Sequence, residues 1–161
     1  YGRVRPVFGR AAVQYLDKAL ELINSGEADC LVTAPVNKSS IRAAGFSKFQ
    51  GHTEYLAEKT AVKEYAMMFV GDKLKITLVT RHMALKDVAR SLCAKSIYRA
   101  IALTHRYLKK YFGFRKPKIG VAGLNPHAGE NLAFGLEELR VVIPAIKRAS
   151  KALGGVSGPP S

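Results

Sequence analysis

A short apolar run, Ile119-Gly120-Val121-Ala122, opens directly into Gly123-Leu124-Asn125-Pro126-His127-Ala128-Gly129-Glu130, and a helical pattern resumes near Leu136. This succession constrains the fold more than any other stretch. The run reads as a buried strand, and a strand that opens into a Gly/Pro/Asn-rich turn before a helix is where open α/β sheets place their ligands. Glycines at 123, 129 and 135 let the backbone take positive φ and approach a ligand closely. His127 stands among them, with Asn125 and Glu130 beside it. Of these three side chains only the imidazole is both a proton carrier near neutral pH and a borderline ligand for zinc-like metals. On the octapeptide alone, a turn whose histidine points at water stays open as the other reading.

The rest of the chain supplies a matching alternation. Ala12, Val13, Leu16, Ala19, Leu20 and Ile23 recur at helical spacing from about Arg10 to Ser25, and Gly26 ends that helix. Cys30-Leu31-Val32-Thr33 reads as a buried strand, followed by the turn Ala34-Pro35-Val36-Asn37-Lys38-Ser39-Ser40. Ser39 or Ser40 is placed to cap a short helix, Ile41 to Ala44. Gly45 to Gly51 is a loop, and His52-Thr53-Glu54-Tyr55-Leu56-Ala57-Glu58 begins a helix with Thr53 as the expected N-cap. The N-terminus of that helix offers N–H groups to a phosphate or carboxylate. Two strands are expected at Tyr65 to Val70 and Lys75 to Thr80, with His82 just past the second. Another amphipathic helix runs from Lys95 to Tyr111 with His105, read as structural, near its apolar face. The last helix, Glu137 to Leu153, is interrupted or bent at Pro144. This order reads as α/β with a mostly parallel sheet and one antiparallel pair.

Length and composition narrow the class. A chain of 161 residues, 48% hydrophobic, is long enough for one sizeable core, so a single segment spanning 1–161 is expected. No run of eighteen apolar residues is present, which argues against a helical membrane span. The first residue is Tyr1, and the chain reads as the middle part of something longer. Cys30 and Cys93 lie far apart without metal-ligand spacing, as reduced thiols of a cytoplasmic protein would. The net charge of +14 attracts polyanions and phosphorylated metabolites alike. Its basic residues are spread along the chain and carry no RNA-binding signature, so nucleic acid is not the expected partner.

His52, His82 and His127 all lie at predicted element ends, and three imidazoles are a number that catalytic zinc sites use. Their wide spacing does not by itself gather them. The segments Thr33-Ala34-Pro35-Val36-Asn37-Lys38, Gly51-His52-Thr53-Glu54, Thr80-Arg81-His82-Met83-Ala84-Leu85 and Leu124-Asn125-Pro126-His127-Ala128-Gly129-Glu130 do more. In order and separation they resemble the 4-hydroxythreonine-4-phosphate dehydrogenase family of pyridoxal phosphate biosynthesis.

The resemblance implies a three-layer α/β/α fold like that of isocitrate and isopropylmalate dehydrogenases, and a homodimer with active sites at the subunit interface. It implies NAD-dependent oxidation of the secondary alcohol of 4-phosphooxy-L-threonine with loss of carbon dioxide, supported by a divalent metal such as Zn, Mg or Co. Carried over, His52 and Thr53 contact substrate while His82 and His127 bind the metal, so His52 leaves the bottom-up metal trio. The third metal histidine of the family, with further substrate-binding residues, lies beyond Ser161. A segment with two metal ligands is therefore expected to bind metal poorly and to be inactive alone. The general base and the choice between NAD and NADP are not legible, and Lys38 is left out of the site. Arg81, where a small polar residue is frequent, and Asn131-Leu132-Ala133, in place of a glycine-rich continuation, depart from the family pattern. Two enzyme alternatives follow: a paralogue acting on a phosphorylated four-carbon sugar acid of the 4-phosphoerythronate type, and a metal-dependent phosphate-ester hydrolase. A non-catalytic polyanion-binding module is the third reading.

Overall fold

The computed structural model describes residues 2–130 and 133–159. The chain divides into two compact units, Tyr1–Lys63 and Glu64–Ser161. Helices and small sheets make it an α/β protein. No described helix is long and apolar enough to cross a membrane.

The first unit is built on helix α1 (Pro6–Asn24), which starts earlier than its periodicity suggests. Pro6 fits the first helical turn, where a missing N–H costs nothing, and Val7 and Phe8 are exposed and so add nothing to the apolar stripe. Gly26 takes φ 79 just past the helix end, as expected. Helix α2 (Lys38–Ala43) packs on α1, and helix α3 (His52–Lys59) follows. Val13, Leu16, Ile41, Phe49 and Tyr55 form the core of this unit. Contact between α1 and α2 depends on Gly9, because a Cβ there would lie 2.0 Å from the Ser40 carbonyl oxygen.

Two expectations between Cys30 and Ser40 fail. Cys30-Leu31-Val32-Thr33 is not a strand: it runs without a bridge, and Val32 is 90% exposed. Its β-branched composition suits a sheet, but a strand exists only where a neighbour takes its hydrogen bonds, and the first unit has no paired strand among its described residues. The cap of α2 is Asn37 rather than Ser39 or Ser40; its Oδ1 accepts the Ser40 N–H at 2.8 Å. Ser40 Oγ turns instead to accept the Arg5 N–H at 3.3 Å.

The second unit opens with an antiparallel hairpin, β1 (Met68–Val70) and β2 (Lys75–Thr77), both shorter than expected. A 3₁₀ turn (Leu85–Asp87) and helix α4 (Val88–Ser91) lead to helix α5 (Ala94–Phe112), which ends on Gly113 at φ 71 as the sequence predicts. Thr104 Oγ1 donates to Thr77 Oγ1 at 2.8 Å and ties α5 to the hairpin. Strand β3 (Ile119–Gly120) pairs in parallel with β4 (Val156–Ser157), a strand the sequence reading missed in the glycine-rich tail. The connection between them runs through a π-helical turn (Glu138–Val142) and helix α6 (Ile143–Leu153). Pro144, having no N–H, cannot answer the Arg140 carbonyl in α register, which accounts for the irregular turn before it. Ile97 and Ile101 of α5 pack against Val142, Ala145, Ile146, Ala149 and Val156.

The two cysteines are exposed thiols. Cys93 sits at the N-cap of α5, where its sulfur accepts the Ser96 N–H at 3.4 Å. Hydrogen bonding by the Ser96 side chain and backbone holds its pKa below the ordinary thiol value. Because the shift is downward, carboxymethylation of Cys93 in a Cys30→Ser background should begin to rise at lower pH than for a free thiol; a coincident profile would contradict this. Gly9→Ala should lower stability by about 1–3 kcal/mol through overpacking against α2, and an unchanged urea midpoint would show the contact to be looser.

Candidate functional site

The candidate residues fall in both units. In the first unit, His52 and Thr53 are the first two residues of α3. Gly51, not Thr53, is the N-cap, and no side chain caps this helix. The expectation for Thr53 is thus corrected: it lies two positions past the cap, inside the first turn, where its hydroxyl is no longer placed to accept the first-turn N–H groups. His52 is half-buried, and its Nε2 is buried without a hydrogen-bond partner. A buried polar atom left unsatisfied is costly and calls for an explanation; here it adjoins a helix end that favours negative charge.

Helix α3 is seated by a polar lock to α1. Tyr55 Oη donates to Asp17 Oδ1 at 2.5 Å, and Lys59 Nζ lies 3.2 Å from the same oxygen. Burial, reinforced by Asp17, raises the Tyr55 pKa, and Asp17 raises that of Lys59. Both shifts favour the protonated forms that make the lock.

In the second unit, His82 lies in the loop after β2 and His127 in the turn after β3. Strand β2 stops at Thr77, so His82 is further from the paired residues than expected. The two loops share a cavity of about 710 Å³, whose wall includes Val79, Thr80, Gly123 and Leu124 but neither His82 nor His127. Both loops also carry unusual backbone. Among the described residues, four without a glycine's freedom have positive φ: Ala61, His82 (50°), Ala128 (47°) and Glu130 (36°). Such conformations cost energy and concentrate where side chains must be aimed for function.

The turn around His127 is internally braced. Asn125 Oδ1 accepts the His127 N–H at 2.9 Å, and the Asn125 carbonyl accepts the Ala128 N–H at 3.1 Å. The His127 ring stacks on Phe134 with centroids 5.0 Å apart. Its Nδ1 lies 3.3 Å from Glu130 Oε2, a carboxylate contact of the kind that fixes a metal-binding imidazole and leaves Nε2 outward. Sequence reading noted Glu130 only as a neighbour, although its spacing from His127 carried the signal. Among the described residues no group of three or more His, Cys, Asp or Glu gathers as a metal cage. Arg81 stacks over the Tyr65 ring at 5.0 Å. His105 is half-buried on α5. Asn131 and Leu132, two of the departures from the family pattern, lie outside the described residues.

The family model for pyridoxal phosphate biosynthetic protein PdxA matches residues 1–161. The chain belongs to the PdxA family. A 4-hydroxythreonine-4-phosphate dehydrogenase from Desulforapulum autotrophicum is 41% identical over 158 residues, covering 98% of this chain and 46% of the relative. A provisionally named D-threonate 4-phosphate dehydrogenase from Oceanobacillus iheyensis is 44% identical over 160 residues, covering 99% and 48%. The crystal structure of 4-hydroxythreonine-4-phosphate dehydrogenase from Klebsiella pneumoniae superposes with a TM-score of 0.86 at 37% identity, over 98% of this chain and 47% of that one. The chain thus spans about half the length of these PdxA relatives.

Since Thr53 does not cap α3, Thr53→Ala should change stability by less than about 0.5 kcal/mol, whereas loss of a true N-cap would cost about 1 kcal/mol. Thermal melts of the two forms distinguish these outcomes.

Proposed function

We propose that this chain carries the substrate and metal contacts of an NAD-dependent, divalent-metal-dependent dehydrogenase that oxidises and decarboxylates 4-phosphooxy-L-threonine in pyridoxal 5'-phosphate biosynthesis. The observation that carries the reading is the buried, unpartnered Nε2 of His52, set at the uncapped start of α3, where Thr53 is the next residue. Together they offer a polar hold for an anionic, hydroxylated substrate. In the second unit His82 and His127 supply imidazoles of the type that divalent metals take, and Glu130 beside His127 Nδ1 suits that use. When bound, the metal would act as a Lewis acid toward the substrate hydroxyl and NAD would accept the hydride. The chain's own part is taken unit by unit: in the first, His52 and Thr53 of α3 would contact substrate, and in the second, His82 and His127 from the loops after β2 and β3 would hold the metal. The same reading brings with it the three-layer α/β/α arrangement of isocitrate and isopropylmalate dehydrogenases, a homodimer with its site at the interface, and a cytoplasmic location.

A second substrate is favoured by one comparison, the 44% identity to the D-threonate 4-phosphate protein. It keeps the chemistry and puts a hydroxyl where the threonine substrate has its C2 amino group, so the pocket would read a sugar acid rather than an amino acid. NADH formation by the full-length enzyme with 4-phosphooxy-L-threonine, D-threonate 4-phosphate and 4-phosphoerythronate in parallel separates the readings. Chelator-sensitive NADH from the first is the expected result. Turnover of only another substrate would assign a paralogue, and release of phosphate without NADH would replace the reading with that of a hydrolase. His82→Ala and His127→Ala should each weaken metal binding by more than the roughly 10–100-fold that loss of an outer-shell partner costs, measured by calorimetric titration.

A further inference from the structure

Glu138 begins the π-helical turn and is 3% exposed. Its carboxyl group is hydrogen-bonded at one end of the His127 turn and lies close to the backbone at the other. Oε1 accepts the Leu124 N–H at 2.9 Å. Oε2 is buried without a hydrogen-bond partner and lies against Gly129, where a Cβ would come within 3.2 Å of it. Gly129 has φ 84, a conformation that favours glycine, and a Cβ there would crowd the Glu138 carboxylate. Leu124 and Gly129 bracket Asn125-Pro126-His127-Ala128, and one buried side chain therefore sets where this segment leaves β3 and where it returns.

Burying a carboxyl with one of its oxygens unsatisfied is unfavourable, and an apolar side chain of similar volume would serve simple packing better. The π-helical register brings Glu138 to this place, and such turns recur at functional sites. We propose that Glu138 is a positioning residue that fixes His127 for metal binding by clamping the turn at Leu124 and Gly129. The proposal rests on the reading of His127 as a metal ligand. Its carboxyl contacts backbone on either side of His127 and so would act through the segment that carries the ligand, as outer-shell partners do.

Zn²⁺ binding to the full-length chain, followed by calorimetric titration beside thermal melts, tests it. Glu138→Leu should fold and bind Zn²⁺ about 10–100-fold more weakly. Glu138→Gln, whose side-chain oxygen can still accept the Leu124 N–H, should recover most of the lost affinity. Should Glu138→Leu fail to fold, Glu138→Asp, one methylene shorter, withdraws the carboxyl from Leu124 and should show the same weakening. Wild-type affinity in a folded Glu138→Leu or Glu138→Asp overturns the proposal, as does a Glu138→Gln that binds no better than Glu138→Leu. His127→Ala serves as the separate control: if it binds Zn²⁺ as the wild type does, it is the metal reading of His127 that fails.

Discussion

Two backbone hydrogen bonds, from Ile119 N–H to the Gly155 carbonyl at 2.8 Å and from Val121 N–H to the Ser157 carbonyl at 2.9 Å, determine where the second unit can present His127. They join strands that lie far apart in sequence, and the chain between them must return over the pair through α6. That return buries Val142, Ala145, Ile146 and Ala149 against Ile97, Ile101 and Val156. Apolar burial supplies the driving force, while the two hydrogen bonds supply the register. Gly155 and Gly158 permit the close approach: a Cβ on either would lie 2.4 Å from the Pro117 oxygen and 2.1 Å from the Val121 oxygen, respectively. With β3 held, the turn from Gly123 to Glu130 leaves the sheet at one place.

The candidate residues share a second property, a local structure that is not at its own minimum. His82, Ala128 and Glu130 carry left-handed backbone, Glu138 holds an unsatisfied buried oxygen, and His52 holds an unsatisfied buried nitrogen. Each costs something that the packed elements around it must offset. In the first unit the offset is visible in the Asp17-Tyr55-Lys59 lock and in the fully buried Ile41. A helix seated this firmly can leave its first turn uncapped.

Legibility from the sequence followed the range of the forces involved. Helices α1, α5 and α6 were readable because an apolar residue every third or fourth position is a local pattern, and Gly113 and Pro144 marked their limits or irregularities correctly. Caps were less readable. At α2 the sequence offers Asn37, Ser39 and Ser40, any of which can cap, and packing of Ser40 against Arg5 selects Asn37. At α3 the helix begins one residue before the apparent Thr53 cap. Strands were least readable, since Cys30 to Thr33 has strand composition without a partner and Val156-Ser157 has a partner without strand composition.

The sequence by itself determined the chemical types present, the order of the four family motifs and the helical periodicities, because these depend on residues adjacent in the chain. It also placed His127 in a turn that glycine and asparagine allow. Only the tertiary structure decided that Glu138 clamps that turn, that the loops bearing His82 and His127 share one cavity, and that His52 Nε2 is buried without a partner. Hydrogen-bond satisfaction and close packing are properties of neighbours in space. A linear pattern carries no account of which distant atoms will be near enough to answer a donor or fill a void.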